Sequence, residues 1–309
     1  MLDMKVFRLL GVACAVSAVF TACEPFEDTS WINNSYVYLD WKHANPETGM
    51  RPVELDSLKV FYYSQTDQLP DFSFPMTENI GQFDVRTNCY DIVVTHPSPY
   101  FVRDTKFRTT TIELPTRINH KAEVVITENP KDMIYLGVSA GTQVDWEVRR
   151  NVYVTMQRML KELNFVVNII DYEELMVPCT VDISGMASRM KVWNRQYDDE
   201  TEAIQIFNIH KQGRHMNTEK CLTTFKGKVL SLGTVGRNIL YFTFQDAKGR
   251  ERVGKYDLTP YLADWNTDEV TVRMTIDATT DTVTLEGYEQ GDTSDFVFDM
   301  NYYLTGGGK

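Results

Sequence analysis

His210 and His215 lie five residues apart, and Cys221 follows six further on. A zinc site needs such imidazole and thiolate groups to converge on one ion. This spacing matches no compact ligand pattern, so exposed loop residues are the expectation. Asp198, Asp199, Glu200 and Glu202 offer oxygens for calcium, but the spacing and glycine of an EF-hand loop are missing. They read as a solvated charge run. Glu173 and Glu174 would serve glycoside hydrolysis only if two carboxylates faced each other across a cleft, and adjacency in sequence does not give that. Only five histidines are present, which narrows the routes to general-base chemistry. There is no G-x-S-x-G elbow, no H-E-x-x-H and no phosphate-binding glycine loop. The expectation is a protein that is not an enzyme, with no cofactor, metal or catalytic residue.

Five tryptophans, Trp31, Trp41, Trp146, Trp193 and Trp265, could form a platform on which sugar rings stack, or fill cores. Trp41, Trp146 and Trp193 neighbour expected strands and read as core. Trp31 lies in an exposed tether, and Trp265 precedes a turn.

The residue with the clearest chemistry is Cys23. Lys5 and Arg8 precede an uncharged apolar run, Leu9 to Phe20. That run is shorter than the roughly 20 residues needed to span a bilayer and suits the core of an export signal. Phe20-Thr21-Ala22-Cys23 resembles the lipobox of bacterial lipoproteins, with Phe20 where that pattern prefers Leu. The resemblance implies a diacylglycerol thioether on Cys23 Sγ, cleavage before Cys23 and acylation of the new amine, palmitate being a typical chain. Each buried CH₂ contributes about 0.8 kcal/mol, so several chains anchor far more firmly than one. Cys14, inside the apolar run, reads as a small hydrophobe.

The formal net charge is −12, and −13 without residues 1–22, which carry Lys5, Arg8 and Asp3. Such a chain will not seek nucleic-acid phosphates and has no polybasic patch for an anionic membrane. Attachment must come from lipid or from a partner protein. Cys89, Cys179 and Cys221 remain beyond the anchor; an odd number is no disulfide framework. A Cys179–Cys221 bridge stays open beside three buried free thiols.

Sixteen Tyr and sixteen Phe favour strands. Alternation marks strands at Tyr36–Trp41, Leu55–Tyr63, Cys89–Thr95 and Lys121–Thr127, with Ile134–Val144 read as a crossover out of the first domain. Asp145–Ile170 reads as one long strand or two strands with an irregular middle, a short helix being the alternative. Val181 and Ile183 lead into a turn at Ser184–Gly185, and Met186–Met190 fits one helical turn. Residues 195–220 read as polar loops around one strand, Ala203–Asn208. Asn238–Gln245 and Arg252–Asp257 form the clearest hairpin, around Asp246–Gly249. Pro260 opens a short helical turn. Strands follow at Val270–Ile276, Asp281–Gly287 and Phe296–Tyr302. This pattern argues for an all-β chain of antiparallel β-sandwiches. The expected division is a signal peptide at 1–22, a lipidated tether at 23–34, β-sandwich domains at 35–143 and 144–305, and a flexible tail at 306–309.

Three stretches together, VRRNVYVTMQRMLKELNFVVNI, DISGMASRMKVW and LTPYLADWNTDEVTVRMTI, follow a lipobox and a first β domain. The pattern resembles the fimbrillin-like anchor and accessory lipoproteins of Bacteroidales. The resemblance implies two tandem transthyretin-like β-sandwich domains and a subunit that anchors or supports a pilus at the outer membrane, with other fimbrillin-like subunits as partners. Arg149, Arg150 and Arg158, and the turn Ser184–Gly185–Met186, correspond to structural marks of the family; MLKEL in the middle of the first stretch departs from it. In shaft subunits of that family a trypsin-like protease cuts after an arginine and removes an N-terminal strand, so that a neighbour's strand can enter. Asp295–Leu304 is the segment expected to exchange in that way. The first arginine after Cys23 is Arg51, and Pro52 directly after it opposes such cleavage. The expected function is thus a lipid-anchored, surface-exposed pilus anchor or accessory subunit in assembly and adhesion, with a glycan-binding surface lipoprotein as the alternative.

Overall fold

The computed structural model describes residues 34–66, 72–145, 148–170, 179–197, 201–217, 220–245, 251–262, 265, 267–277, 282–290 and 301–303. The expected signal segment, most of the tether, Cys23 and the tail 306–309 lie outside them. Among the described residues no helix is long and apolar enough to cross a membrane. The protein is all-β in class, as its alternating sequence predicts.

The first five strands are β1 (Asn34–Asp40), β2 (Leu58–Ser64), β3 (Phe72–Met76), β4 (Ile80–Asp84) and β5 (Asn88–Thr95). A bridging segment then carries four short pieces: β6 (Phe101–Val102), β7 (Thr111–Glu113), β8 (Thr116–Ile118) and β9 (Val124–Ile126). Two longer strands, β10 (Tyr135–Val144) and β11 (Arg150–Arg158), return to the first sheet, whose order is β3-β2-β5-β10-β11-β1-β4. The stretch expected to be a crossover, Ile134–Val144, is thus a central strand, and the sheet runs on to Arg158, past residue 143. The composition of β10 misleads because Gly137 is there for packing: a Cβ on it would lie 2.4 Å from Val154 Cγ1. The sheet curls until its ends approach, and the rings of Phe74 on β3 and Phe83 on β4 stack at 5.1 Å. Inside lies a core of Val37, Trp41, Val60, Tyr62, Ile92 and Val154 with their neighbours.

The second unit opens with β12 (Lys161–Ile170), β13 (Cys179–Ala187) and β14 (Arg189–Lys191), then β15 (Glu202–Asn217) and β16 (Lys220–Ser231). It closes with β17 (Ile239–Gln245), β18 (Glu251–Asp257), the helical turn α1 (Thr259–Leu262), β19 (Glu269–Asp277), β20 (Thr282–Gln290) and β21 (Asn301–Tyr303). The segment 145–170 therefore resolves to two strands, β11 and β12. Leu163, Phe165, Val167 and Ile169 of β12 all point inward, the period-two burial of a half-wet sheet. β15 was expected to be one short strand among loops. Instead it is a single 16-residue strand. Its first half pairs with β13 and its second half with β16, so it passes from one layer of the sandwich to the other. Between the layers sits a core of Phe165, Val181, Phe207, Phe225, Phe242 and Val272 with their neighbours.

Met186–Met190 forms no helical turn. β13 runs on to Ala187 and β14 begins at Arg189, and a bulge lies between Ile183 and Met186, where Gly185 takes φ +70°. The bulge is clamped by Asn238, whose Nδ2 donates to the carbonyls of Ser184 and Gly185, 3.1 Å each.

The bridging segment ties the two units together. β9 pairs in parallel with β15, and β7 pairs with β14. A third core gathers Phe61 and Val93 from the outer side of the first sheet, Ile112 and Leu114 from the bridge, and Met190 and Leu232 from the second unit. Lys121–Thr127, expected as a strand of the first domain, thus supplies a strand to the second unit.

Candidate functional site

Of the residues singled out from sequence, Cys23, Glu173, Glu174, Asp198, Asp199, Glu200, Trp31 and Trp146 lie outside the described residues. His210 is exposed on β15, and the side chains of His215 and Cys221 are outside the description. Among the described residues no group of three His, Cys, Asp or Glu side chains converges as metal ligands do. Cys179 is a free, buried thiol, and burial pushes its pKa up to about 12; Cys89 is free and half-buried. Of the segment 295–304, residues 301–303 pair with β20.

Trp41 and Trp265 are buried. Trp193, expected in the core, is 45% exposed and lies under the guanidinium of Arg108 at 5.6 Å. It follows the short strand β14, whose inward position is Met190, and the buried Val192. Arg149 stacks on Tyr36 at 3.8 Å and donates from Nη2 to the Tyr38 hydroxyl at 3.0 Å. Arg158 donates from Nε to the Ala44 carbonyl at 2.8 Å. Arg150 is exposed.

Two sites come together in the structure. The first surrounds β1. This strand is interior to its sheet, antiparallel to β4 on one side and parallel to β11 on the other. Arg51 lies in the loop that leaves β1. Its Nη1 donates to the Thr77 carbonyl at 2.6 Å, and its Nη2 donates to the Leu55 carbonyl. Its Nε is buried without a partner. The guanidinium is turned into the protein, while the flanking Met50 and Val53 point outward and are 70% and 91% exposed.

The second site is a cleft of about 710 Å³ between the two units. The segment His96–Pro99 forms one wall, with Tyr135 and Arg158 from the first sheet and Glu162, Lys228 and Leu230 from the second unit opposite. Only the fold brings β12 and β16 against that segment. Two prolines, Pro97 and Pro99, were the available signal of a fixed wall. The backbone N–H of Tyr135 donates to His96 Nδ1 at 3.2 Å. An accepting Nδ1 places the proton of the neutral ring on Nε2. Burial holds the His96 pKa below its ordinary value, against the charge of Asp132. Burial raises the Tyr100 hydroxyl, and Glu128 and Asp132 add to it. Burial raises Tyr135 as well, with Arg158 opposing. These couplings put the groups in one electrostatic environment.

No protein-family model and no curated protein sequence matches the chain. Solved structures do. A candidate adhesin from Bacteroides thetaiotaomicron is 10% identical, with a TM-score of 0.54 over 82% of this chain and 96% of its own. A candidate polysaccharide-binding protein from the same organism is 9% identical, with a TM-score of 0.53 over 85% and 100%. The fimbrial anchor protein Mfa2 from Porphyromonas gingivalis is 12% identical, with a TM-score of 0.52 over 86% and 99%. The chain is similar in fold to a candidate adhesin, a candidate polysaccharide-binding protein and a fimbrial anchor protein, all from Bacteroidales, in line with the fimbrillin-like resemblance of its sequence.

Proposed function

We propose that the protein is a lipid-anchored subunit at the cell surface, an anchor or accessory component of a pilus. It would act in assembly and adhesion through non-covalent contacts with other fimbrillin-like subunits, not through catalysis. Its attachment is to the outer membrane through acylated Cys23. The shared fold with a fimbrial anchor and with adhesins supports this reading.

The observation that carries it is the placement of Arg51. A trypsin-like enzyme needs an extended arginine side chain to enter its specificity pocket. The Arg51 guanidinium is instead held by the carbonyls of Thr77 and Leu55. The strand that cleavage would remove, β1, is bonded on both sides and contributes Val37 to the core. A subunit that keeps this strand suits a fixed place at the base or side of a fibre better than strand exchange within the shaft. The cleft beside His96 favours a second reading, glycan binding at the surface, which is compatible with the first.

Affinity capture of the intact chain from its native envelope, with mass spectrometry of what co-purifies, tests the pilus reading. Recovery of fimbrillin-like subunits in specific complexes is expected. Recovery of the chain alone, or with a polysaccharide-uptake complex, would overturn it.

A further inference from the structure

We propose that the cleft between the two units binds a neutral oligosaccharide. The proposal deepens the glycan-binding reading and does not depend on the pilus reading.

The volume, about 710 Å³, and the place between two packed units match those of small-ligand sites. The charge on its walls selects the ligand class. Glu54, Glu128, Asp132 and Glu162 contribute carboxylates, and Lys131, Arg158 and Lys228 contribute cations. In a chain of net charge −12 this near-balance is local. A phosphate or uronate would meet more carboxylates than cations, and a cation would meet ammonium and guanidinium groups. A neutral polyol suits such a wall, because each hydroxyl both donates and accepts.

The polar groups are also fixed in advance. Arg158 is tied through Nε to the Ala44 carbonyl at 2.8 Å, while its side chain lines the cleft. Lys228 pairs with Glu162 at 2.5 Å, and Asn164 donates to Glu162 Oε1 at 3.1 Å. His96 is held through Nδ1, which leaves its Nε2–H to donate. Groups already ordered before binding lose little conformational freedom when the ligand arrives. Tyr100 and Tyr135 are half-buried in the lining and provide aromatic surface for the C–H faces of sugar rings. Tyr135 is itself steadied edge-on against Trp41 at 5.8 Å and against His96 at 6.1 Å. The prolines at 97 and 99 stiffen the wall that carries His96.

Calorimetric titration of the full mature chain with linear hexasaccharides of mannan, xylan, starch and cellulose, and with hexagalacturonate, tests this. At least one neutral hexasaccharide should bind with a Kd of about 1 mM or below. Glu128→Gln, at an exposed rim position, and Tyr100→Ala should each weaken that binding by about tenfold or more. Tyr153→Ala, on the outer face of the first sheet and 72% exposed, should leave it unchanged. A thermal scan of each variant separates loss of ligand contact from loss of fold. Failure of all four neutral probes at about 10 mM would overturn the proposal. So would preference for hexagalacturonate, or binding indifferent to Glu128→Gln and to a folded Tyr100→Ala. None of these results would bear on whether pilus subunits co-purify.

Discussion

The backbone N–H of Tyr135 donates to Nδ1 of His96 across 3.2 Å, tying β10 to the wall of the cleft. The ring is kept neutral by burial, which lowers its pKa below 6.5. The unfolded chain therefore binds a proton more readily than the native one between the native pKa and 6.5. Stability from this group is complete above pH 6.5 and is lost as pH falls through that window. The charge of Asp132 opposes the shift. His96→Asn, whose side-chain oxygen can accept from Tyr135, should flatten the dependence of Tm on pH between neutral and mildly acid conditions. An unchanged slope in the variant would assign the acid sensitivity elsewhere.

Cys179 and Cys89 should differ in reactivity. Cys179 is fully buried with its pKa pushed up to about 12, so almost no thiolate exists near neutral pH. Cys89 is half-buried. Iodoacetamide labelling of the native chain followed by peptide mass mapping should modify Cys89 first and Cys179 only on unfolding. Equal labelling of both in the native state would contradict the packing described for β13.

Gly185 sits at φ +70° in the bulge of β13, and a Cβ there would lie 2.6 Å from the Arg237 carbonyl oxygen. Gly185→Ala should cost about 1–3 kcal/mol from backbone strain, with the clash in addition. Chemical denaturation would show it as a lower midpoint with an unchanged slope.

The third core predicts that the two units unfold together. Ile112 is wholly buried between them, in the bridge that also pairs with β14. Ile112→Ala should destabilise by about 2–5 kcal/mol. Differential scanning calorimetry should then record one transition at lower temperature. A second transition persisting at the original temperature would mean that the units melt independently.

The alternating segments were legible because burial on one face leaves a period-two trace. β12, β18 and β19 follow it. β10 did not, because Gly137, Ser139, Ala140 and Gly141 give it the look of a turn. Gly137 admits Val154, and Gly141 takes φ +63° beside the register shift between Ser139 and Thr142. β15 was read short because its hydrophobic alternation, Ala203, Phe207 and Ile209 around the buried Gln205, stops where the strand changes layers. The cleft left no local trace beyond Pro97 and Pro99. Its residues come from β10, β11, β12, β16, the segment His96–Tyr100 and the loops carrying Glu54 and Glu128–Met133, and only the tertiary fold unites them.

Arg51 gives a prediction that separates side-chain pinning from the effect of its neighbour. Pro52→Ala removes the proline that opposes cleavage but leaves the bonds to Thr77 and Leu55. The folded variant should still resist a trypsin-like protease at this position, as read by N-terminal sequencing. Rapid cutting after Arg51 would show that proline alone protects the loop.

The most direct test of the account is the mass of the N-terminal peptide of the protein isolated from its own envelope. The account predicts a chain that begins at a multiply acylated Cys23 and runs uncut through Arg51 and Pro52. A chain beginning at Pro52, or at an unmodified residue before Cys23, would contradict an anchored subunit that keeps its first strand.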